Sequence, residues 1–210
     1  MRSCRVFLAT VLLTVGMVAL GGCSFGRERP TRLYVLTPLS PAAPPSSARG
    51  TPGVAIGVGP IELPPYANRP QMVTGNTSYE LHATTFEQWA EPLRDSFLRV
   101  LAENLSLLLA TDRVVLFPWK GPLLIEYQVI VEVTHFLGEI GGETSLVALW
   151  SIVGKDGREV PVSQKSSFRE STGSQGYEDL AAAMSRTVAA LSHDIAAAIA
   201  TLERPAAQRQ

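Results

Sequence analysis

The chain has 210 residues, is 46% hydrophobic and 18% charged, and carries a formal charge of −1 with three histidines and two cysteines. So even a balance excludes electrostatic recruitment to nucleic acid or to an anionic bilayer. The cysteines, Cys4 and Cys23, both fall at the N-terminus, which excludes a disulfide framework and leaves stability to a hydrophobic core.

Arg2 and Arg5 precede an apolar run from Val6 to Leu20, shorter than the roughly 20 residues a spanning helix needs. The run ends in Leu20-Gly21-Gly22-Cys23. This resembles the lipobox of bacterial lipoproteins: an aliphatic residue, two small residues that fit a peptidase cleft, then the cysteine that becomes the acylated N-terminus. Gly21 is a less usual choice but small enough. The expectation is a signal peptide over residues 1–22 and a covalent lipid, such as palmitate, on Cys23, with no other cofactor. An ordinary secretory signal or an uncleaved anchor helix is the competing reading. Cleavage would leave 210 − 22 = 188 residues, enough for one domain, and losing Arg2 and Arg5 gives −1 − 2 = −3. Attachment would then rest on acyl chains, at about 0.8 kcal/mol per buried methylene. Residues 23–31 form a polar tether that, at about 3.3–3.6 Å per residue, reaches about 30 Å.

The domain is expected over residues 32–203. Arg32 to Leu36 alternates as a short strand, and Thr37 to Gly53 is a Pro/Ala/Ser-rich connector. Val54 to Gly59 sets Val54, Ile56 and Val58 on one face, with Gly57 and Gly59 permitting close backbone approach. Pro60, Pro64, Pro65 and Pro70 then argue against regular helix or central strand and frame an irregular loop, Leu63 to Pro70. Gln71 to Thr74 and Ser78 to Ala83 flank Gly75-Asn76 and read as a hairpin. From Thr85, three- and four-residue steps through Phe86, Trp89, Leu93, Phe97, Val100, Leu101 and Leu105 predict a long amphipathic helix, capped by Thr84 or Thr85. Pro92 would sit in its first two turns, so the regular part could begin near Glu91.

Asp112 to Trp119 reads as a strand stopped by Pro118. Ile125, Tyr127, Val129, Val131 and Val133 alternate with Glu126, Gln128, Glu132 and Thr134, the clearest β signal in the chain. Turns at Gly138 to Gly142 and Lys155-Asp156-Gly157 make this the first of three meander strands, followed by Thr144 to Val153 and Glu159 to Phe168. Tyr177 to Leu202 carries Leu180, Met184, Val188, Leu191, Ile195, Ile199 and Leu202 in a near-heptad stripe. Its alanine-rich polar face favours core packing over a coiled coil. Residues 204–210 are a polar tail expected to be flexible.

Chemistry-bearing patterns are sparse. His82, His135 and His193 have no triad-like setting, no G-x-S-x-G elbow occurs, and neither a metal-ligand motif nor a second available thiol is found. Gly57-Val58-Gly59 lacks the third glycine and the helix of a phosphate loop. Asn104 begins a sequon but sits within a predicted helix. Glu126 and Glu132 lie about 20 Å apart along one strand and read as a solvated face. Trp89, Trp119 and Trp150 read as core, Trp150 sharing its face with Leu146, Ala148 and Ile152. No catalytic residue and no metal site is assigned. Tyr66 and Arg69, in the proline-framed loop, are the candidate partner or oligomer interface, with structural anchoring the alternative.

Several segments together resemble the ABC-type transport auxiliary lipoproteins, the lipoprotein component of paraquat-inducible and related MCE-domain intermembrane lipid transport systems. They are Leu33-Tyr34-Val35-Leu36, Gly57-Val58-Gly59-Pro60, the stretch from Leu63 through Tyr66 and Arg69 to Val73, Trp89-Ala90-Glu91-Pro92-Leu93, the Tyr127 to Val133 strand, and the closing helix. The resemblance implies an α/β fold with a mixed, largely antiparallel sheet and two long amphipathic helices, in a three-layer architecture like anticodon-binding domains and the N-terminal domain of TolB. It further implies a non-enzymatic lipoprotein on the periplasmic face of the outer membrane that docks an MCE-domain transport protein, with homo-oligomerisation as a ring among the arrangements allowed. A periplasmic carrier holding a lipid or hydrophobic ligand in its own cavity is the alternative, and a hydrolase is disfavoured.

Overall fold

The computed structural model describes residues 29–40, 54–75, 77, 79–119, 124–154 and 161–203. Cys23, the Leu20-Gly21-Gly22 motif, most of the tether, residues 41–53 of the connector, Asn76, the Lys155-Asp156-Gly157 turn and residues 204–210 lie outside them.

The strand with the strongest alternation is the hub. Strand β6 (Tyr127–Gly138) buries Val129, Val131 and Val133, then a bulge between Val133 and His135 shifts the alternation and brings Phe136 inside. It pairs antiparallel with β7 (Glu143–Gly154), which pairs antiparallel with β8 (Val162–Ser171), completing the expected meander. On β7, Leu146, Ala148, Trp150 and Ile152 are all buried, as their shared face predicted.

The final helix runs Tyr177–Glu203 and its predicted stripe from Leu180 to Ile199 is buried core. Among the described residues the other helix, α1, spans Leu93–Leu108, so the closing helix is α2. Both cover the same face of the sheet: Phe97 of α1 meets Phe136 edge-on with centroids 5.7 Å apart, while Asp194 of α2 accepts from Ser166 of β8 at 2.8 Å. Asn104, fully buried on α1, donates to Ser192 Oγ of α2 at 3.0 Å and accepts from the Leu39 amide at 2.7 Å. The sequon asparagine is therefore a polar rivet between helices and connector.

The remaining strands are β1 (Arg32–Tyr34), β2 (Ile56–Glu62), β3 (Gln71–Gly75), β4 (Leu81–Trp89) and β5 (Val114–Leu116). They complete an eight-stranded mixed sheet in the order β1-β4-β3-β6-β2-β5, with β7 and β8 leaving the other flank of β6. The α/β class, the mixed sheet and the two long helices match expectation. Across the meander's other face the row Glu132, Leu149, Lys165 is exposed. The described residues thus form a helical layer on a curled sheet, and no third layer covers that row.

Two boundaries differ from the sequence reading. Phe86 and Trp89 belong to β4 rather than to the first helix, because β1 pairs with Glu87, Gln88 and Trp89 and β3 reaches Gln88. These partners outweigh a helical period that Phe86 and Trp89 match by spacing alone. Thr84 is no helix cap: its hydroxyl accepts from the Glu87 amide at 2.9 Å and donates to the Glu87 carbonyl at 2.6 Å within the strand. Helix α1 starts after Pro92, which has no amide to satisfy.

The second correction concerns Pro60, expected to stop a central strand. Strand β2 continues through it to Glu62 although β2 lies between β5 and β6. A register shift between Val58 and Ile61 carries the proline past the ladder, pairing with β5 has already ended at Val58, and Gln128 Nε2 donates to the Gly59 carbonyl at 2.8 Å. Gly59 has φ +110°, open to glycine, and a Cβ on Gly57 would lie 2.6 Å from the Trp119 ring, so both glycines do permit close approach.

Candidate functional site

The proline-framed loop connects β2 to β3 and folds on itself. The amides of Ala67 and Asn68 donate to the Pro64 carbonyl at 2.9 and 3.2 Å, and the Arg69 amide donates to the Ala67 carbonyl at 2.9 Å. Its exit is tied to the end of β4, where the Trp89 amide donates to the Pro70 carbonyl at 2.7 Å. Ala67 is buried beneath it, while Asn68, Arg69 and Pro70 are exposed.

Tyr66 and Arg69 part company on this frame. The β2 side of β6 is paired through Glu132, and β3 pairs only at Gly138. Tyr66 enters the interval between them. Its hydroxyl accepts from the Phe136 amide at 3.1 Å and lies 3.5 Å from His135 Nδ1. A tyrosine side chain thus does for that amide what a neighbouring strand does elsewhere along β6.

Arg69 points to solvent, and its Nε donates to Gln71 Oε1 at 3.2 Å. The two residues line different grooves. Tyr66 borders one of about 450 Å³ with His135, fully exposed Tyr79, Leu81, Glu139 and Glu143. Arg69 borders another of about 430 Å³ with Asn68, Pro70, Trp89, Glu91 and Pro92. Glu91 is itself engaged: Arg99 donates to it from 2.7 Å and holds its carboxyl below the ordinary range.

Burial pushes the His135 imidazole pKa down, and the nearby Arg169 guanidinium adds to the effect. Arg169 in turn lies 3.6 Å from Glu143. His82 and His193 are exposed, so the three histidines occupy separate positions. No cluster of three or more His, Cys, Asp or Glu suited to a metal occurs among the described residues. A third groove of about 540 Å³ lies beside α1 and β5, between Leu39, Leu107 and Leu116. Nothing in the sequence reading pointed to it; the exposed leucines of α1 and β5 become neighbours only in the fold.

The family described as the ABC-type transport auxiliary lipoprotein component matches residues 34–196. Among solved structures, the crystal structure of an uncharacterized protein is similar at 18% identity, covering 81% of this chain and 99% of that one with a TM-score of 0.66. A Xanthomonas campestris protein is similar at 14% identity, with coverage of 80% and 91% and a TM-score of 0.56. At such identities these likenesses establish the fold. No curated protein matches the chain significantly.

Proposed function

Because this chain belongs to the family of ABC-type transport auxiliary lipoprotein components, we propose that it is a lipid-anchored, non-enzymatic docking subunit of an MCE-type intermembrane lipid transport system. In this reading Cys23 is acylated after removal of residues 1–22, and the domain stands on the periplasmic face of the outer membrane. A tether of about 30 Å leaves the crossing of the periplasm to a partner. That partner is an MCE-domain transport protein, met through the Asn68-Arg69-Pro70 face of the β2–β3 loop.

The observation that carries this proposal is the division of labour within the loop. Tyr66 is held on β6 while Arg69, three residues later, is exposed on a frame of internal hydrogen bonds. A loop ordered before contact loses little entropy on binding, and arginine is a favoured interface anchor. The filled layer between helices and sheet, with Phe97, Phe136, Leu146 and Leu191 completely buried, supports docking over carriage of a lipid inside the domain.

The test is purification of tagged, full-length protein from membranes after mild cross-linking. Recovery of an acylated N-terminal peptide in outer-membrane fractions, together with an MCE-domain protein, is the expected result. A lipid-loaded monomer without a protein partner would favour the carrier, and stable residence in inner-membrane fractions would contradict the assigned membrane.

A further inference from the structure

We infer that the exposed side of β1 and of the residue after it, with Leu33 and Val35, rests on the surface of the bilayer that holds the anchor. This deepens the anchored reading proposed above and rests on it. Leu33 is 62% exposed and Val35 45% exposed, whereas Tyr34 and Leu36 between and after them turn inward. Tyr34 packs on the core with its ring 6.3 Å from that of Tyr177, and Leu36 is buried. One side of this short segment is therefore fixed to the domain and the other offers two aliphatic side chains.

Strand β1 pairs with β4 on one edge and, among the described residues, is the last strand of the sheet on that side. It cannot swing away easily. Arg32 donates to the buried carboxylate of Glu87 at 2.7 Å, and the Ala90 amide donates to the Tyr34 carbonyl at 2.8 Å. The segment beside the exposed pair is also the described strand nearest to Cys23 in sequence, only nine residues away from Arg32 (32 − 23 = 9).

That proximity selects the occupant. Once acyl chains are inserted, contact between β1 and lipid is effectively intramolecular, so a small apolar area suffices where a free protein partner would require a larger one. Aliphatic side chains projecting from a strand held in place suit the interface, where apolar groups enter the acyl boundary. Exposed Leu124, by contrast, stands just before the start of β6, and β3 and β4 lie between β6 and β1 in the sheet. It therefore lies outside that contact.

The experiment uses full-length protein processed in cells and reconstituted into phosphatidylethanolamine–phosphatidylglycerol vesicles containing brominated lipid. Single L33C and L124C variants, both at exposed positions, receive a thiol-reactive fluorophore, and mass spectrometry of the N-terminal peptide reports acylation. The expected result is acylated protein with several-fold stronger quenching at position 33 than at position 124. Acylated, vesicle-bound protein with equal quenching at both sites overturns this surface and leaves the anchor standing. Absence of acyl chains on Cys23 overturns the anchor reading and this surface with it.

Discussion

The two flanks of β6 are built differently. One is paired with β7 from Tyr127 to Gly138, whereas the other is divided among β2, the Tyr66 hydroxyl and β3. A ladder paired along the whole strand spreads its stability over many bonds and takes up no more than the bulge after Val133. A divided flank lets the chain leave the sheet, and the β2–β3 loop emerges there. The contrast teaches where this fold is scaffold and where it has surface to offer a partner.

The sharpest way to break the comparison is to attack the scaffold. Val131→Asp places a carboxylate on the buried face shared with Trp150 and should cost about 3–5 kcal/mol. Glu132→Gln, next in sequence and exposed, should stay within about 0.5 kcal/mol. Urea midpoints of the two variants measure this directly, and equal midpoints would mean that the faces of β6 are misassigned. Tyr66→Phe addresses the divided flank. Loss of one acceptor for the Phe136 amide should cost about 1 kcal/mol. Amide exchange should quicken at Phe136 while the β7-facing ladder keeps its protection; uniform quickening would show that both flanks open together.

Acidification sharpens the comparison more gently. Burial and Arg169 favour neutral His135 in the folded protein, so the unfolded chain takes up the proton first. The stability contributed is complete above the ordinary imidazole value of about 6.5 and declines as pH falls through it towards the lowered folded value. The groups facing this ring are Tyr66 from the loop and Arg169 from β8, the latter beside Glu143. Glu91, held down by Arg99, adds its loss only below the ordinary carboxylate range. Melting of wild type should therefore fall between about pH 7 and pH 5, and His135→Asn should flatten that fall. An unchanged slope in the variant would remove His135 from the account.

How much of this could be read in advance follows the same division. The valines of β6 and the stripe on α2 were legible because each pattern has one consistent period and one partner layer. The β4 boundary was not, since Phe86 and Trp89 fit a helical step and only pairing with other segments, β1 from Arg32 to Tyr34 and β3 at Gln71, makes them strand. The bulge after Val133 was equally hidden, for nothing in His135 itself announces a change of face. Tyr66 and Arg69 could be singled out from their prolines. Their separation into one side chain that serves β6 and one that faces solvent depends on an amide seventy residues away at Phe136.

Arg69 has the smallest expected effect on folding and the most direct bearing on function. Arg69→Ala removes an exposed side chain bonded to Gln71 and should alter stability by less than about 0.5 kcal/mol. The decisive measurement installs a photo-crosslinking residue at position 69 or, as a control on the exposed meander face, at position 132, in full-length protein within its own envelope. Docking through the loop predicts that an MCE-domain transport protein is captured from position 69 and not from position 132. Capture from position 132 alone, with none from position 69, would contradict it.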